Sequence, residues 1–297
     1  MAVAVREISG SLPDEERRQI VYDGGLLVFK AVSPMKELCA FADALIRESL
    51  DTRDPVMAQY EMDRDDYLIR VETLQKRFRE HEEAKRLLLA ALEDAGVDLG
   101  RTFWDRLYLR VLPSGEEYAS GRAAKLGFHR DTWSSNVYSQ TNWWAPIYPI
   151  TAGRTLAFYP DYWSRPLKNT SGAWDLDEVR VRRRAGEPVA LVPEPDERVD
   201  TASELRPVIL PGDLLCFSGA HLHAAVPNET GLARFSVEVR TADARDVALN
   251  VGAPNTDGEA PRIASGWFRS VLDGTLLPEV VASDDSDNRR AEMGYGG

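Results

Sequence analysis

The sequence predicts a mainly β protein of the α+β class, in which a helical N-terminal part precedes a β-rich core. After Gly100, short segments of alternating apolar and polar residues follow one another, separated by Gly, Pro and Asp turns. This pattern is typical of a sandwich or barrel. Before Gly100, apolar residues recur at helical spacing. Neither an internal repeat nor a Ser/Gly/Pro-rich linker divides residues 1–297, so we expect one domain.

The N-terminal part, residues 1–100, is expected to contain a strand and two helices. They are predicted at residues 21–32, 33–50 and 82–95. Ser33 suits the N-cap of the first helix, because its hydroxyl can accept from a free backbone N–H, and Pro34 suits the first turn. Gly96 suits the end of the second helix. The acidic residues 51–70 are expected to be irregular.

The β-rich core is expected at residues 101–245. Its strands are predicted near residues 106–112, 138–148, 154–159, 189–193, 206–209, 213–218 and 233–240. A long insertion covers residues 160–188 and contains a basic cluster at 180–184, which forms either a solvated strand edge or a grip for an anionic substrate group. Residues 246–297 are expected to form a C-terminal extension, whose polar tail from Ser283 is either mobile or the edge of a lid.

Composition limits the partners of the chain. The formal net charge is -12, and such an acidic surface argues against nucleic acid and against an anionic membrane as partners. No apolar run reaches the length of a membrane helix, and the N-terminus is charged too early for a signal peptide. Cys39 and Cys216 lie in apolar runs, which indicates reduced core thiols. We therefore expect a cytoplasmic protein that acts on a small molecule.

Histidine is scarce, with four in the chain, and one of them, His129, lies in a pattern typical of metal ligands. His129 and Asp131 lie two apart, so on a strand both side chains would point to the same face. An imidazole and a carboxylate that converge are two thirds of a 2-His-1-carboxylate site, which leaves positions open on Fe(II). His221 and His223 are the candidates for the third ligand. They also lie two apart, and spacing alone does not choose between them.

A second pattern follows on the predicted strand 233–240. Arg234 and Ser236 share a face of this strand. A guanidinium beside a hydroxyl is suited to a two-point grip on a carboxylate. A dicarboxylate that chelates a metal with one end needs such a grip at its other end.

These segments resemble the Fe(II)/2-oxoglutarate oxygenases, which are built on a double-stranded β-helix, and above all their phytanoyl-CoA and ectoine hydroxylase branch. The matching segments are GGLLVFKAVSPMKELCAFADAL, GFHRDTW, PGDLLCFSGAHLHAAVPN and LARFSVEVR. In that family the distal histidine precedes the co-substrate arginine by about ten residues. His223 precedes Arg234 by 11 residues, closer to this spacing than His221, so the resemblance favours His223.

The resemblance implies a role for each residue. His129, Asp131 and His223 would hold Fe(II), and 2-oxoglutarate would pair with Arg234 and Ser236 while O2 reacts at the metal. On the predicted strands, Asn142 and Thr155 are assigned as co-substrate contacts and Trp144 as a substrate wall, with ordinary sheet packing as the alternative for Asn142 and Trp144. Trp133, directly after the His129–Asp131 pair, is either a substrate wall or a core residue. Halogenating relatives have a small residue in place of the carboxylate, so Asp131 favours hydroxylation.

The sequence also departs from the family. The usual Pro-Gly-Ser-His after the middle strand is replaced by Tyr159-Pro-Asp-Tyr-Trp-Ser-Arg165, and the insertion that follows has no counterpart. Substrate identity and oligomeric state are therefore left open. Two alternatives remain: a cupin-like metalloenzyme without 2-oxoglutarate, and a non-catalytic binding or sensor module on the same fold.

Overall fold

A computed structural model describes residues 5–118, 127–187 and 189–277. Within these ranges the strands are β1 (Val5–Ser9), β2 (Leu26–Lys30), β3 (Thr102–Trp104), β4 (Tyr108–Leu112), β5 (Gln140–Pro146), β6 (Leu156–Phe158), β7 (Leu214–Ser218), β8 (His223–Ala225), β9 (Arg234–Asp243) and β10 (Arg269–Ser270). The helices are α1 (Asp14–Tyr22), α2 (Ser33–Leu50), α3 (Arg64–Glu80), α4 (Glu82–Asp94), α5 (Thr132–Ser135), α6 (Leu176–Arg184) and α7 (Ala244–Ala248). Short 3₁₀ turns lie at Ala58–Tyr60, Leu99–Arg101, Glu116–Tyr118, Pro160–Trp163 and Ser265–Trp267.

The strands form a large sheet and a small one. The large sheet has the order β1-β2-β7-β5-β9-β3-β10, and β4 also pairs with β9. Only β1 and β2 run parallel among the described pairs of this sheet. The small sheet consists of β6 and β8, which run antiparallel. With ten residues, β9 is long enough to pair with β5 along one edge and with both β3 and β4 along the other.

The alternation of side chains separates two apolar cores on opposite faces of the large sheet. Trp143 and Cys216 point to one face and pack with the helices α2, α3 and α4. Their neighbours Trp144 and Phe217 point to the other face and pack with Phe158 of the small sheet. Successive residues of a strand face opposite sides, so this is the arrangement expected of two stacked sheets. The fold is a double-stranded β-helix with N-terminal helices on one sheet, as predicted.

The two predicted N-terminal helices are present, with one difference in their caps. Helix α2 buries an apolar stripe against the large sheet, but its N-cap is Val32 and no side chain caps it, so the prediction that Ser33 is the cap is wrong. Ser33 is the first helical residue, and Pro34 follows it in the first turn, where its missing N–H breaks no intrahelical hydrogen bond. Helix α4 begins after His81, whose Nδ1 accepts from the Glu83 backbone N–H at 3.2 Å.

Helix α3 was not predicted: it begins inside the segment 51–70 that was expected to be irregular, and it continues to Glu80, through residues for which no element was predicted. Asp63 caps it by accepting from the Asp65 backbone N–H at 2.9 Å. Tyr67, Val71, Leu74 and Phe78 form its buried stripe. The many charged residues between these positions concealed a helical period that the sequence does contain.

In the β region, the strands predicted near 106–112, 138–148, 154–159, 213–218 and 233–240 are present with adjusted bounds. The strands predicted at 189–193 and 206–209 are absent. Pro207 has no N–H to give to a ladder, although residues 206–209 do alternate in burial. The basic cluster 180–184 lies on helix α6 and is not a strand edge. The tail from Ser283 lies outside the described residues.

No helix in the described ranges combines the length and the apolar character that a membrane span requires.

Helix α3 offers a test of the packing on the large sheet. Leu74 is fully buried, whereas Ile69 on the same helix is 64% exposed. We expect Leu74→Ala to lower the free energy of unfolding by about 2–5 kcal/mol, because it leaves a cavity in the core. Ile69→Ala should change it by no more than about 0.5 kcal/mol. Denaturant unfolding measures both, and equal effects would show that the buried face of α3 is assigned incorrectly.

Candidate metal centre

Two histidines are placed opposite each other by the backbone. His129 and His223 form an isolated antiparallel bridge, in which each backbone N–H donates to the carbonyl of the other at 3.0 Å. Paired residues of this kind point their side chains to the same side. The two imidazole centroids are accordingly 4.3 Å apart.

Asp131 joins them by a route that the sequence analysis did not foresee. It does not lie on a strand: its φ and ψ of -63° and -31° are helical, and it directly precedes the short helix α5. Its backbone carbonyl accepts from the N–H groups of Ser134 and Ser135 at 3.1 and 3.0 Å. The expected convergence with His129 therefore arises from a turn into a helix. One ligand atom from each of the three residues lies within 4.8 Å of the other two, and all three residues are buried.

The two imidazoles are oriented by their second nitrogens. Nδ1 of His129 lies 2.8 Å from the Gly127 carbonyl, and Nδ1 of His223 lies 3.0 Å from the His221 carbonyl. A carbonyl only accepts, so each Nδ1 carries the proton and each Nε2 is a free acceptor. This arrangement fixes the tautomer and ring orientation in histidines that bind metals.

The carboxylate of Asp131 is held by two neighbours. The side-chain amide of Asn142 donates to Oδ2, and Nη1 of Arg240 donates to Oδ1 at 3.3 Å. Burial alone would raise the pKa of Asp131, but the positive charge of Arg240 foremost, with smaller contributions from the imidazoles and the Asn142 amide, outweighs it and lowers the pKa to about 2. The group is therefore ionised at neutral pH, as a metal ligand must be.

His129 is neutral under the same conditions. Burial, and after it the neighbouring His223, lower the pKa of His129 to about 4. Its Nε2 lone pair is thus available without the loss of a proton.

His221, the alternative third ligand, points elsewhere. Its ring nitrogens lie 3.1 Å from the carbonyls of Ser218 and Gly24, and its ring packs against Trp163 at 4.5 Å. The structure thus brings His223 into the cluster and leaves His221 in the supporting layer. Burial lowers the pKa of His221 to about 4, although the hydrogen bonds to the two carbonyls act to raise it.

Arg234 is a buried cation at the other end of a cavity that the cluster also lines. Arg234 is 4% exposed, and its Nη1 donates to the Thr155 carbonyl at 3.0 Å. Its Nε has no hydrogen-bond partner, and no carboxylate of the described residues lies within ion-pair distance of its guanidinium. Burial lowers the pKa of Arg234 to about 10, which still leaves it charged. The buried hydroxyl of Ser236 and Nε1 of Trp144 also lack partners.

The other predicted contacts have mixed outcomes. Asn142 and Trp144 line the cavity, but Asn142 already donates to Asp131. The hydroxyl of Thr155 donates to the Pro207 carbonyl at 2.6 Å, so only its backbone carbonyl faces Arg234. Trp133 is a core residue and not a wall of the cavity: it is fully buried, and its Nε1 donates to Asp257 at 2.6 Å.

Two connected cavities meet at the cluster. The smaller, of about 80 Å³, is lined by the cluster at one end and by Arg234 and Trp144 at the other. The larger, of about 420 Å³, lies on the far side of Asp131. Both are lined by Tyr108, Arg110, Asp131 and Arg240. The site thus has an inner pocket between the cluster and Arg234, and an outer cavity beyond it.

The sequence analysis missed Arg240, which links Asp131 to a second carboxylate. Its Nη2 lies 2.6 Å from Oδ2 of Asp105 while its Nη1 contacts Asp131. A signal was present, because Arg234, Ser236, Glu238 and Arg240 alternate along one strand and must share a face. Three of the four, Arg234, Glu238 and Arg240, line the cavity at the cluster.

No protein-family model and no curated protein matches the chain. Among solved structures, EvdO2 from Micromonospora carbonacea var. aurantiaca in complex with 2-oxoglutarate is 16% identical, with a TM-score of 0.46 over 82% of this chain and 94% of that one. The non-heme monooxygenase ThoJ is 16% identical, with a TM-score of 0.42 over 77% of each chain. SnoN, a non-heme α-ketoglutarate-dependent epimerase from nogalamycin biosynthesis, is 16% identical, with a TM-score of 0.39 over 89% of this chain and 98% of that one.

His223 in β8 and His221 in the turn before it give a direct test of the cluster. We expect His223→Ala to weaken Fe(II) binding by at least roughly tenfold, because it removes one of three donors. His221→Ala should retain one bound ion per chain. Anaerobic Fe(II) titration followed by metal analysis measures this, with circular dichroism to confirm folding. Equal loss in both variants would contradict the assignment.

The neutral histidines also predict how stability depends on pH in the metal-free protein. In the unfolded chain His129 and His221 bind protons near their usual pKa of 6.5, but in the folded chain only near 4. The unfolded state therefore holds more protons between these values, and stability must fall as the pH falls from 6.5 to 4. The loss is at most about 3 kcal/mol per histidine.

Urea unfolding across this pH range measures the effect. His221→Gln should show a smaller decrease in the free energy of unfolding with falling pH than the unchanged protein. An identical pH dependence would show that His221 is not buried in its neutral form.

Proposed function

We propose that this chain is a mononuclear non-haem Fe(II) oxygenase that uses 2-oxoglutarate as co-substrate. The observation that carries the proposal is a single small cavity with the cluster of His129, Asp131 and His223 at one end and the unpaired cation of Arg234 at the other.

The donor set fits Fe(II). Two neutral imidazoles and one carboxylate are the ligands of the facial triad, which leaves coordination positions for a co-substrate and O2. Both imidazoles present Nε2, and the carboxylate is ionised. Bound iron would supply oxidising chemistry that side chains lack, with 2-oxoglutarate and O2 consumed and succinate and CO2 released.

The inner pocket fits the distal carboxylate of 2-oxoglutarate. Arg234 and Trp144 line this pocket, and Arg234 Nε and Trp144 Nε1 are buried polar atoms without partners among the described residues. Ser236 Oγ also lacks a partner there, but Ser236 does not line the pocket. Leaving such groups unsatisfied is costly, and a buried charge without a counter-ion costs more. An incoming carboxylate would supply both the acceptor oxygens and the negative charge. This requirement favours 2-oxoglutarate use over the cupin-like alternative, which has no need of a buried cation at this place.

The remaining residues position and shield the site. Arg240 and Asn142 hold the Asp131 carboxylate by one oxygen each. Phe158 and Phe217 pack on the His223 ring at centroid distances of 5.9 and 5.3 Å and keep water from that side. We further propose that the whole chain acts as a single oxygenase domain of the phytanoyl-CoA and ectoine hydroxylase type, and that the carboxylate at position 131 directs it to hydroxylation.

Arg234 provides the test that separates the two metalloenzyme hypotheses. We expect Arg234→Ala to raise the KM for 2-oxoglutarate by at least about thirtyfold, because truncating one partner of a buried charge pair costs about 2–5 kcal/mol. Arg234→Lys should retain part of the affinity, since it keeps the charge but not the planar fork. Succinate formation at varied 2-oxoglutarate measures the effect, with the exposed Arg184→Gln as control.

An independent measurement needs no substrate. Anaerobic addition of Fe(II) and 2-oxoglutarate to the protein should give a weak visible charge-transfer band that is lost in Asp131→Ala. Iron binding without any such band, and without succinate, would favour the cupin-like enzyme and reject the proposal.

A further inference from the structure

The outer cavity lies directly beyond the cluster. Its wall includes Asp131 and the residues that hold or flank it, Tyr108, Arg110 and Arg240. Its volume of about 420 Å³ is in the range of small-molecule sites. A molecule in this cavity therefore lies next to the carboxylate end of the cluster, on the side away from Arg234.

The cavity is basic in an acidic protein. Two aspartates, Asp105 and Asp131, face six arginines across the described lining, namely Arg79, Arg106, Arg110, Arg180, Arg183 and Arg240. The chain as a whole has a formal net charge of -12. An excess of one sign in a cavity with low-dielectric walls concentrates the field and attracts ligands of the opposite sign.

Four of these arginines have carboxylate partners. Arg240 contacts Asp105 and Asp131, and Arg110 contacts Glu238 at 2.9 Å. Arg180 contacts Asp177 at 2.9 Å, and Arg79 contacts Glu80 at 3.6 Å. These pairs contribute little net positive charge.

Arg106 and Arg183 differ from the other four. Neither has a carboxylate within ion-pair distance or a side-chain hydrogen bond in the part of the chain that the structure describes, and both are exposed where they line the cavity. No carboxylate of the described residues therefore compensates their charges. They come from distant segments, the approach to β4 and the end of α6, so only the fold brings them to one cavity.

Tyr108 shows how closely the positive groups are placed. The guanidinium carbons of Arg106, Arg110 and Arg240 lie 5.5, 4.7 and 5.8 Å from the centre of its ring. The ring face offsets part of their mutual repulsion. An oxyanion among them would offset more and would gain charge-assisted hydrogen bonds.

The rest of the wall is aromatic and apolar. Trp174 and Trp267 approach each other edge to face at 6.5 Å, and Val179, Leu191 and Val192 extend the apolar surface. Such a wall is suited to a ring or hydrocarbon part of a ligand.

From these observations we infer that the outer cavity binds the substrate of the proposed oxygenase, and that this substrate is a small molecule with an apolar or ring-bearing body and an oxyanion group, a phosphate or a carboxylate, held by Arg106 and Arg183. Only the statement that this ligand is the substrate rests on the proposed function. The binding itself does not depend on iron.

The test uses isothermal titration of the metal-free protein with probes that share a ring and differ in charge: phenyl phosphate, benzoate and benzylamine. We expect one or both anions to bind and benzylamine not to bind. The tighter of the two anions identifies the oxyanion that the site prefers. Affinity for it should fall by roughly tenfold in Arg106→Gln and in Arg183→Gln, because each loses one charged contact.

Two control variants locate the bound anion. Arg184→Gln alters a neighbouring arginine of α6 that does not line the cavity, and it should bind the anion like the unchanged protein. Arg234→Gln should also retain binding, because Arg234 lines only the inner pocket. Loss in Arg234→Gln alone, equal binding in all variants, binding of benzylamine as tight as that of the anions, or no binding of either anion would overturn the inference.

The same proteins distinguish this failure from failure of the proposed function. If anions do not bind but Fe(II)-dependent succinate release from 2-oxoglutarate occurs, only the assignment of the outer cavity is wrong. If anions bind as expected but the protein neither binds Fe(II) nor releases succinate, the cavity is an anion site and the oxygenase proposal is wrong.

Discussion

The site depends on one backbone interaction, the reciprocal pair of hydrogen bonds between His129 and His223. The two residues are far apart in sequence, and their bridge fixes both the distance between the imidazoles and the side to which they point. Each ring is then oriented by a local carbonyl, that of Gly127 or that of His221. Main-chain geometry therefore determines two of the three donors, and only the third depends on side-chain contacts.

Two arginines of β9, the buried Arg234 and the partly buried Arg240, illustrate how charge defines the site. Arg240 is compensated by Asp105 and Asp131, and it keeps Asp131 ionised and in place. Arg234, six residues earlier on the same face, has no carboxylate partner among the described residues. A buried ion pair is tolerated, whereas an isolated buried charge is destabilising unless a ligand completes it. The contrast between two otherwise similar residues is therefore what indicates where a negatively charged co-substrate would bind.

The sequence predicted those parts of the molecule that depend on local periodicity. Alternation found five strands of the core and the shared face of Arg234 and Ser236, and the helical period found α2 and α4. The sequence did not predict the features that depend on pairing between distant residues. The bridge at His129 is a single residue pair, too short to leave a pattern, and Asp131 sits at a turn that no period predicts. The choice of His223 required the spacing to Arg234. Sequence alone did not decide between a core position and a substrate wall for Trp133, because its partner, Asp257, lies more than a hundred residues away.

Asp257 also explains how the outer cavity can form without disturbing the cluster. Arg130, between the two candidate ligands His129 and Asp131, pairs with Asp257 at 3.0 Å and is almost completely buried. The Asp257 carboxylate also accepts from the backbone N–H of Leu167, at the start of the insertion that carries Trp174 and Arg183. The insertion and the C-terminal segment are thus attached to the ligand loop through one carboxylate whose charge is matched. Segments that line the outer cavity therefore reach the cluster through a side-chain ion pair, whereas the bridge of His129 and His223 is held by main-chain hydrogen bonds.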